Sequence, residues 1–75
     1  MKSIHRKEYR KLLSLLVAAR KERGLTQAEV ARKLKKPQSY IAKIEKGERR
    51  VDVIEFLQIC AVLAVDYARL LNQIS

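Results

Sequence analysis

Cysteine is nearly absent from this 75-residue sequence: Cys60 stands alone in an apolar run. One thiol cannot make a disulfide framework, and its setting suits a core side chain in a reducing compartment. There is no tryptophan, and Tyr9, Tyr40, Tyr67 and Phe56 are the only aromatics. That is too few for the exposed stacking platforms that hold single-stranded nucleic acid. The one histidine, His5, has no second ligand at a useful spacing, so neither a metal site nor a catalytic role is expected for it. The apolar stretch 12–19 is broken by Ser14 and passes into Arg-Lys-Glu-Arg-Gly. It is far short of the roughly 20 residues that span a bilayer and has no small-residue cleavage site, so a cytoplasmic protein without membrane contact is expected. A domain of this size buries only about 60% of the surface its unfolded chain exposes. It has little room for a deep cleft, and no enzyme activity, cofactor or small-molecule ligand is expected.

Acidic residues are also scarce, and unevenly so. Residues 1–24 hold eight Lys/Arg against two acids, a net +6; residues 25–50 hold eight against three, a net +5; residues 51–75 hold one against three, a net −2. The basic two-thirds calls for a polyanion, and the acidic, apolar remainder is free to bury or to pair.

What is present is helical punctuation. No strand alternation or internal repeat occurs, so the fold class is all-α. Residues 1–7 are polar, basic and aperiodic and read as a mobile arm. Tyr9, Leu12, Leu13, Leu16 and Ala19 then recur at helical spacing, predicting a helix over 8–23 that ends at Gly24. Leu15 and Val17 widen its apolar stripe, so it is expected to pack on more than one side. Thr26 and Glu29 form a capping box with Leu25 and Val30 as its staple, opening a second helix that buries Val30, Ala31 and Leu34. Pro37, the only proline, forces a boundary and is favoured as the first residue of a third helix, expected over 37–46 with Ile41 and Ile44 inward and Gly47 as its stop. Asp52 and Glu55 repeat the capping box for a fourth helix over 53–63, expected to bury Phe56, Leu57, Cys60 and Leu63. Asp66 caps a fifth over 67–74. The whole chain, 1–75, reads as a single domain.

These residues resemble the helix-turn-helix domains of the phage repressor and Cro type, the XRE-like family, over about residues 16–71. RGLTQAEVARKL is similar to the family's second helix, YIAKIEKGER to its third helix and exit, and residues 53–65 to its fourth. The resemblance implies a lambda-repressor-like fold of five helices, with residues 26–46 as the helix-turn-helix unit. It implies that Gln38, Ser39 and Lys43 reach base edges in the major groove of double-stranded DNA. Gln27 would hold a phosphate and brace the recognition helix, while Lys36, Lys46, Arg49 and Arg50 lie along the backbone. Arg20 and Glu45 would form an inward salt bridge, which leaves Glu45 no role as an acid catalyst. Tyr40 has two readings, as a phosphate contact or as packing over the end of the first helix. Two positions depart from the family. Lys35 replaces the usual turn glycine, which predicts either a non-glycine residue at positive φ or an altered turn, and Ala64 replaces the usual glycine after the fourth helix, which predicts a different helix ending.

The resulting expectation is a sequence-specific transcription regulator, a repressor acting as a homodimer on a near-palindromic operator. Tyr67, Leu70, Leu71 and Ile74 are apolar in excess of one small core and are assigned to the dimer interface. No separate effector domain is expected, so regulation falls to concentration, turnover or a partner. The alternatives are a protein-binding adaptor on the same fold, an antitoxin component whose main role is partner binding, and a binder of single strands.

Overall fold

Two capping boxes set the start of the second and fourth of five helices. The structure, a computed structural model, describes residues 6–74. The helices are α1 (Lys7–Glu22), α2 (Gln27–Lys33), α3 (Gln38–Glu45), α4 (Val53–Leu63) and α5 (Tyr67–Ile74). At α2 the Thr26 hydroxyl accepts from the Glu29 amide at 3.0 Å and the Thr26 amide donates to Glu29 Oε1 at 2.8 Å. At α4 Asp52 Oδ1 accepts from the Glu55 amide at 2.8 Å and the Asp52 amide donates to Glu55 Oε1 at 3.0 Å. Each box satisfies two amides that a helix start otherwise leaves without partners. Asp66 caps α5 by accepting from the Ala68 amide.

The first four helices all close through a residue of left-handed backbone. Gly24 and Gly47 adopt φ of 69° and 79°, and Lys35 and Ala64 adopt φ of 60° and 56° without being glycine. At each closure an amide reaches back to a carbonyl of the helix's last turn, as Lys36 does to Ala31 at 2.9 Å and Val65 to Cys60 at 3.1 Å. Of the two outcomes open at Lys35, the positive-φ one occurs. The different ending expected at Ala64 does not, because the tight connection to α5 demands the left-handed turn whichever residue supplies it.

The core gathers one stripe from each helix: Leu12, Leu13, Leu16 and Ala19 of α1, Val30 and Ala31 of α2, Tyr40, Ile41 and Ile44 of α3, Phe56, Ile59, Cys60 and Leu63 of α4, and Leu70 of α5. Leu15, Leu25 and Leu34 pack against it while partly exposed. No buried side-chain nitrogen or oxygen among the described residues lacks a hydrogen-bond partner. None of the described helices is long and apolar enough to cross a membrane.

Several expectations are corrected. Lys7 is the first residue of α1 rather than part of an arm, and residues 1–5, including His5, lie outside the described residues. Pro37 precedes α3 as its cap, with extended backbone at φ −70° and ψ 157°; its ring supplies no amide, and its carbonyl accepts from Tyr40 at 3.0 Å. Leu57 is 37% exposed, and Ile59 occupies the core in its place. The inward stripe of α4 therefore runs 56, 59, 60, 63, and a second apolar face at Val53, Ile54 and Leu57 points outward. On α5 Leu70 is buried and Ile74 packs beside it, so neither is surplus to the core; Tyr67 and Leu71 are exposed.

Candidate nucleic-acid interface

The geometry of α3 follows from what it buries. Tyr40, Ile41 and Ile44 anchor it in the core, which turns Gln38, Ser39 and Lys43 outward, all three exposed. The tight turn through Lys35 and Pro37 holds α2 against α3. The outward residues therefore sit on a braced helix near its N-terminal end, where unpaired amides and partial positive charge concentrate.

A polar chain ties this helix to its neighbours. Arg20 Nε donates to Glu45 Oε2 at 2.7 Å and Arg20 Nη2 to Glu45 Oε1 at 3.2 Å, while Arg20 Nη1 donates to the Leu25 carbonyl at 2.8 Å. Both side chains are about nine-tenths buried, with relative exposures of 12% each. Gln27 Nε2 donates to Glu45 Oε1 at 2.8 Å, and Gln38 Nε2 donates to Gln27 Oε1 at 3.3 Å. One run of contacts thus joins α1, the start of α2 and both ends of α3.

A second cluster supports the cations after α3. The Tyr40 ring lies under two positive charges, Arg49 Cζ at 4.7 Å from its centroid and Lys36 Nζ at 5.3 Å. Tyr40 therefore packs against the connector to α4. Arg49 makes a two-pronged bond to Glu55, Nη2 to Oε2 at 2.9 Å and Nη1 to Oε1 at 3.1 Å, and also donates to the Arg50 carbonyl at 2.9 Å. The Arg49 guanidinium, aided by the Asp52 amide, holds the Glu55 carboxyl down at about 2. Burial, with the Glu55 charge nearby, raises the Tyr40 hydroxyl above its ordinary value. Lys46 and Arg50 are exposed.

Three contributors were invisible to residue spacing. Glu55, read as a cap, also orients Arg49. The Tyr9 hydroxyl accepts from the Val51 amide at 3.1 Å and so pins the connector to α1. Arg23 Nη2 donates to the Ala64 carbonyl at 2.7 Å, joining the end of α1 to the end of α4. Their sequence separations match no helical spacing and carry no local signal. No group of three or more His, Cys, Asp or Glu among the described residues is placed to hold a metal ion.

The exposed apolar side chains form one further surface. Val53, Leu57, Tyr67 and Leu71 line a shallow groove floored by Leu12 and Phe56 and edged by Tyr9 and Val51, and Ile54, 63% exposed, lies beside Val53 on α4.

No curated protein matches this chain. Among solved structures, an XRE-family like protein from Pseudomonas syringae pv. tomato str. DC3000 is similar to it, with 45% identity and a TM-score of 0.89 over 97% of this chain and 89% of that one. A family model described as helix-turn-helix matches residues 16–70. With a braced α3 presenting polar side chains between flanking cations, the chain belongs to the XRE-like helix-turn-helix family and is a DNA-binding transcription regulator of that type.

Proposed function

We propose that this protein is a repressor that binds a near-palindromic operator as a homodimer, with α3 in the major groove. The observation that carries the reading is the outward triplet Gln38, Ser39 and Lys43 on a helix whose other face is locked by Tyr40, Ile41 and Ile44. Gln38 pairs with adenine through its amide, and Lys43 donates to guanine O6 or N7. Gln27, Lys36, Lys46 and Arg50 lie along phosphates, which position the domain and supply affinity with little sequence information. Tyr40, buried beneath Lys36 and Arg49, acts by holding those two cations in place, with any phosphate contact secondary. Occupying an operator is enough to block transcription and needs no further domain.

The dimer contact we assign is the exposed apolar face of Val53, Ile54, Leu57, Tyr67 and Leu71. A two-fold dimer reading one operator needs its recognition helices about 34 Å apart, one turn of DNA. The same patch favours a second reading, in which it docks another protein, as in an antitoxin, and DNA binding is secondary.

Selection from random duplexes tests the first reading: enriched sites should be palindromic, with log K falling against log salt at a slope near −0.9 per phosphate neutralised. Flat enrichment would count against it. Ile54→Glu, at a position 63% exposed, should give a folded monomer in sedimentation with stability changed by no more than roughly 0.5 kcal/mol, as for other exposed positions. A wild-type chain that is already monomeric at high concentration would favour the partner-docking reading.

A further inference from the structure

The polar chain beneath α3 has a direction. Gln38 and Glu45 are seven residues apart, on the same side of the helix two turns from each other, and Gln27 of α2 bridges them. A guanidinium can only donate and a carboxylate can only accept. Arg20 therefore holds Glu45 as an acceptor, and Glu45 obliges Gln27 to turn its NH2 group toward it. The Gln27 carbonyl oxygen is then the atom left facing Gln38, and Gln38 must answer with its own NH2 group. Each amide in the chain is oriented by the link before it, back to the ion pair.

We propose that Glu45, which lies too deep to touch a base, is a specificity-determining positioning residue that sets which base Gln38 selects. The inference rests on the reading of α3 as the base-reading helix. With one N–H committed to Gln27, Gln38 offers its carbonyl oxygen and its second N–H outward. That acceptor and donor pair complements the N6 amine and N7 of adenine. An amide at position 45 reverses the logic. Its oxygen stays on the shorter bond from Arg20 Nε, at the loss of the longer one from Nη2, so its NH2 group faces Gln27. Gln27 then presents its oxygen inward and its NH2 group to Gln38, and Gln38 turns its oxygen inward to receive it. Its two N–H groups are left pointing outward beside an oxygen already engaged, a set that suits O6 and N7 of guanine better than the N6 amine of adenine.

The test is selection from random duplexes with the full chain, read position by position, for wild type, Gln38→Ala, Glu45→Gln and Gln27→Leu, with circular-dichroism melts to verify folding. Wild type should prefer adenine by about tenfold or more at one position per half-site, the scale of a bidentate contact, and Gln38→Ala should erase that preference alone. Glu45→Gln should move the preference at that position from adenine toward guanine and leave the Lys43-dependent position unchanged. If Glu45→Gln does not fold, Gln27→Leu decides, since it cuts the chain while sparing the Arg20–Glu45 pair. It should flatten the adenine preference to within about threefold, below the scale of one bidentate contact. Retained adenine preference in a folded Glu45→Gln or in Gln27→Leu overturns the proposal, as does a loss spread evenly over all positions. Absence of any duplex selectivity in wild type would overturn the DNA-reading function itself, which is a different result.

Discussion

The two non-glycine residues in left-handed backbone make a stability prediction with a built-in control. Lys35 and Ala64 sit at φ of 60° and 56°, and both are exposed. An L side chain there costs roughly 1–2 kcal/mol from its Cβ, and glycine avoids this at an unfolded-state entropy cost of roughly 0.4–1 kcal/mol. Glycine keeps the backbone bonds that close each helix, including the Ala64 carbonyl that accepts from Arg23. Lys35→Gly and Ala64→Gly should therefore each stabilise the fold by roughly 0.5–1 kcal/mol. For a domain of this size that raises the melting temperature by roughly 2–8 °C per substitution. Lys35→Gly also removes one of the charges behind the net +9, so its gain should equal or exceed that of Ala64→Gly, and extra salt should narrow the difference. Gly24→Ala is the control. The site has φ +69° and nothing within 4 Å of an added Cβ, so any loss is conformational and should be about 1 kcal/mol. Thermal melts by circular dichroism or calorimetry give all three values. A melting temperature that fails to rise for both glycine substitutions while Gly24→Ala is tolerated would refute the reasoning.

Three further outcomes follow from side-chain contacts. Tyr9→Phe removes the acceptor for the Val51 amide and should cost about 1 kcal/mol in chemical denaturation, with an unchanged m-value. Glu55 titrates at about 2 in the fold against an ordinary 4.5, so its contribution is fully present above about 4.5 and is lost as pH falls toward about 2. Arg49→Gln should flatten that stretch of the curve of melting temperature against pH. Cys60 is buried, which pushes its thiol up to about 11; it should react with a thiol reagent only as fast as the protein opens, and at once in denaturant.

Much of the fold was legible because its punctuation is local. Thr26 with Glu29 and Asp52 with Glu55 announce helix starts within four residues, and the bounds of α4 and α5 follow from a cap and an apolar period. Pro37 misled by one position, because the same ring suits a cap as well as a first turn. The larger misses came from α4, which is apolar nearly all round. Periodicity shows that such a helix has an inward stripe but not which of two overlapping stripes it is, and packing against α1 and α2 chose 59 over 57. On α5 the pair 70 and 74 and the pair 67 and 71 have the same spacing, and only the position of α1 separates core from surface. In the candidate site, the outward direction of Gln38, Ser39 and Lys43 was readable from Ile41 and Ile44. The partnership of Arg49 with Glu55 and Tyr40 depends on a loop folding back, which no period records.

That partnership changes how the cations near α3 divide their work. Lys46 and Arg50 are exposed and have no ion-pair partner among the described residues, so on the proposed reading each adds its full share to the counterions released from DNA. Arg49 is already neutralised in part by Glu55 and stacked on Tyr40. It should release less, and its replacement should disturb the seating of the connector and of Lys36 as much as it removes charge. Removing Arg50 should therefore lower the salt slope by close to one phosphate's worth, while removing Arg49 should lower affinity with a smaller change in slope. The resemblance treats the two arginines alike. On the proposed reading their partners in this fold divide them, Arg50 free to meet phosphate and Arg49 a strut for the surface around it.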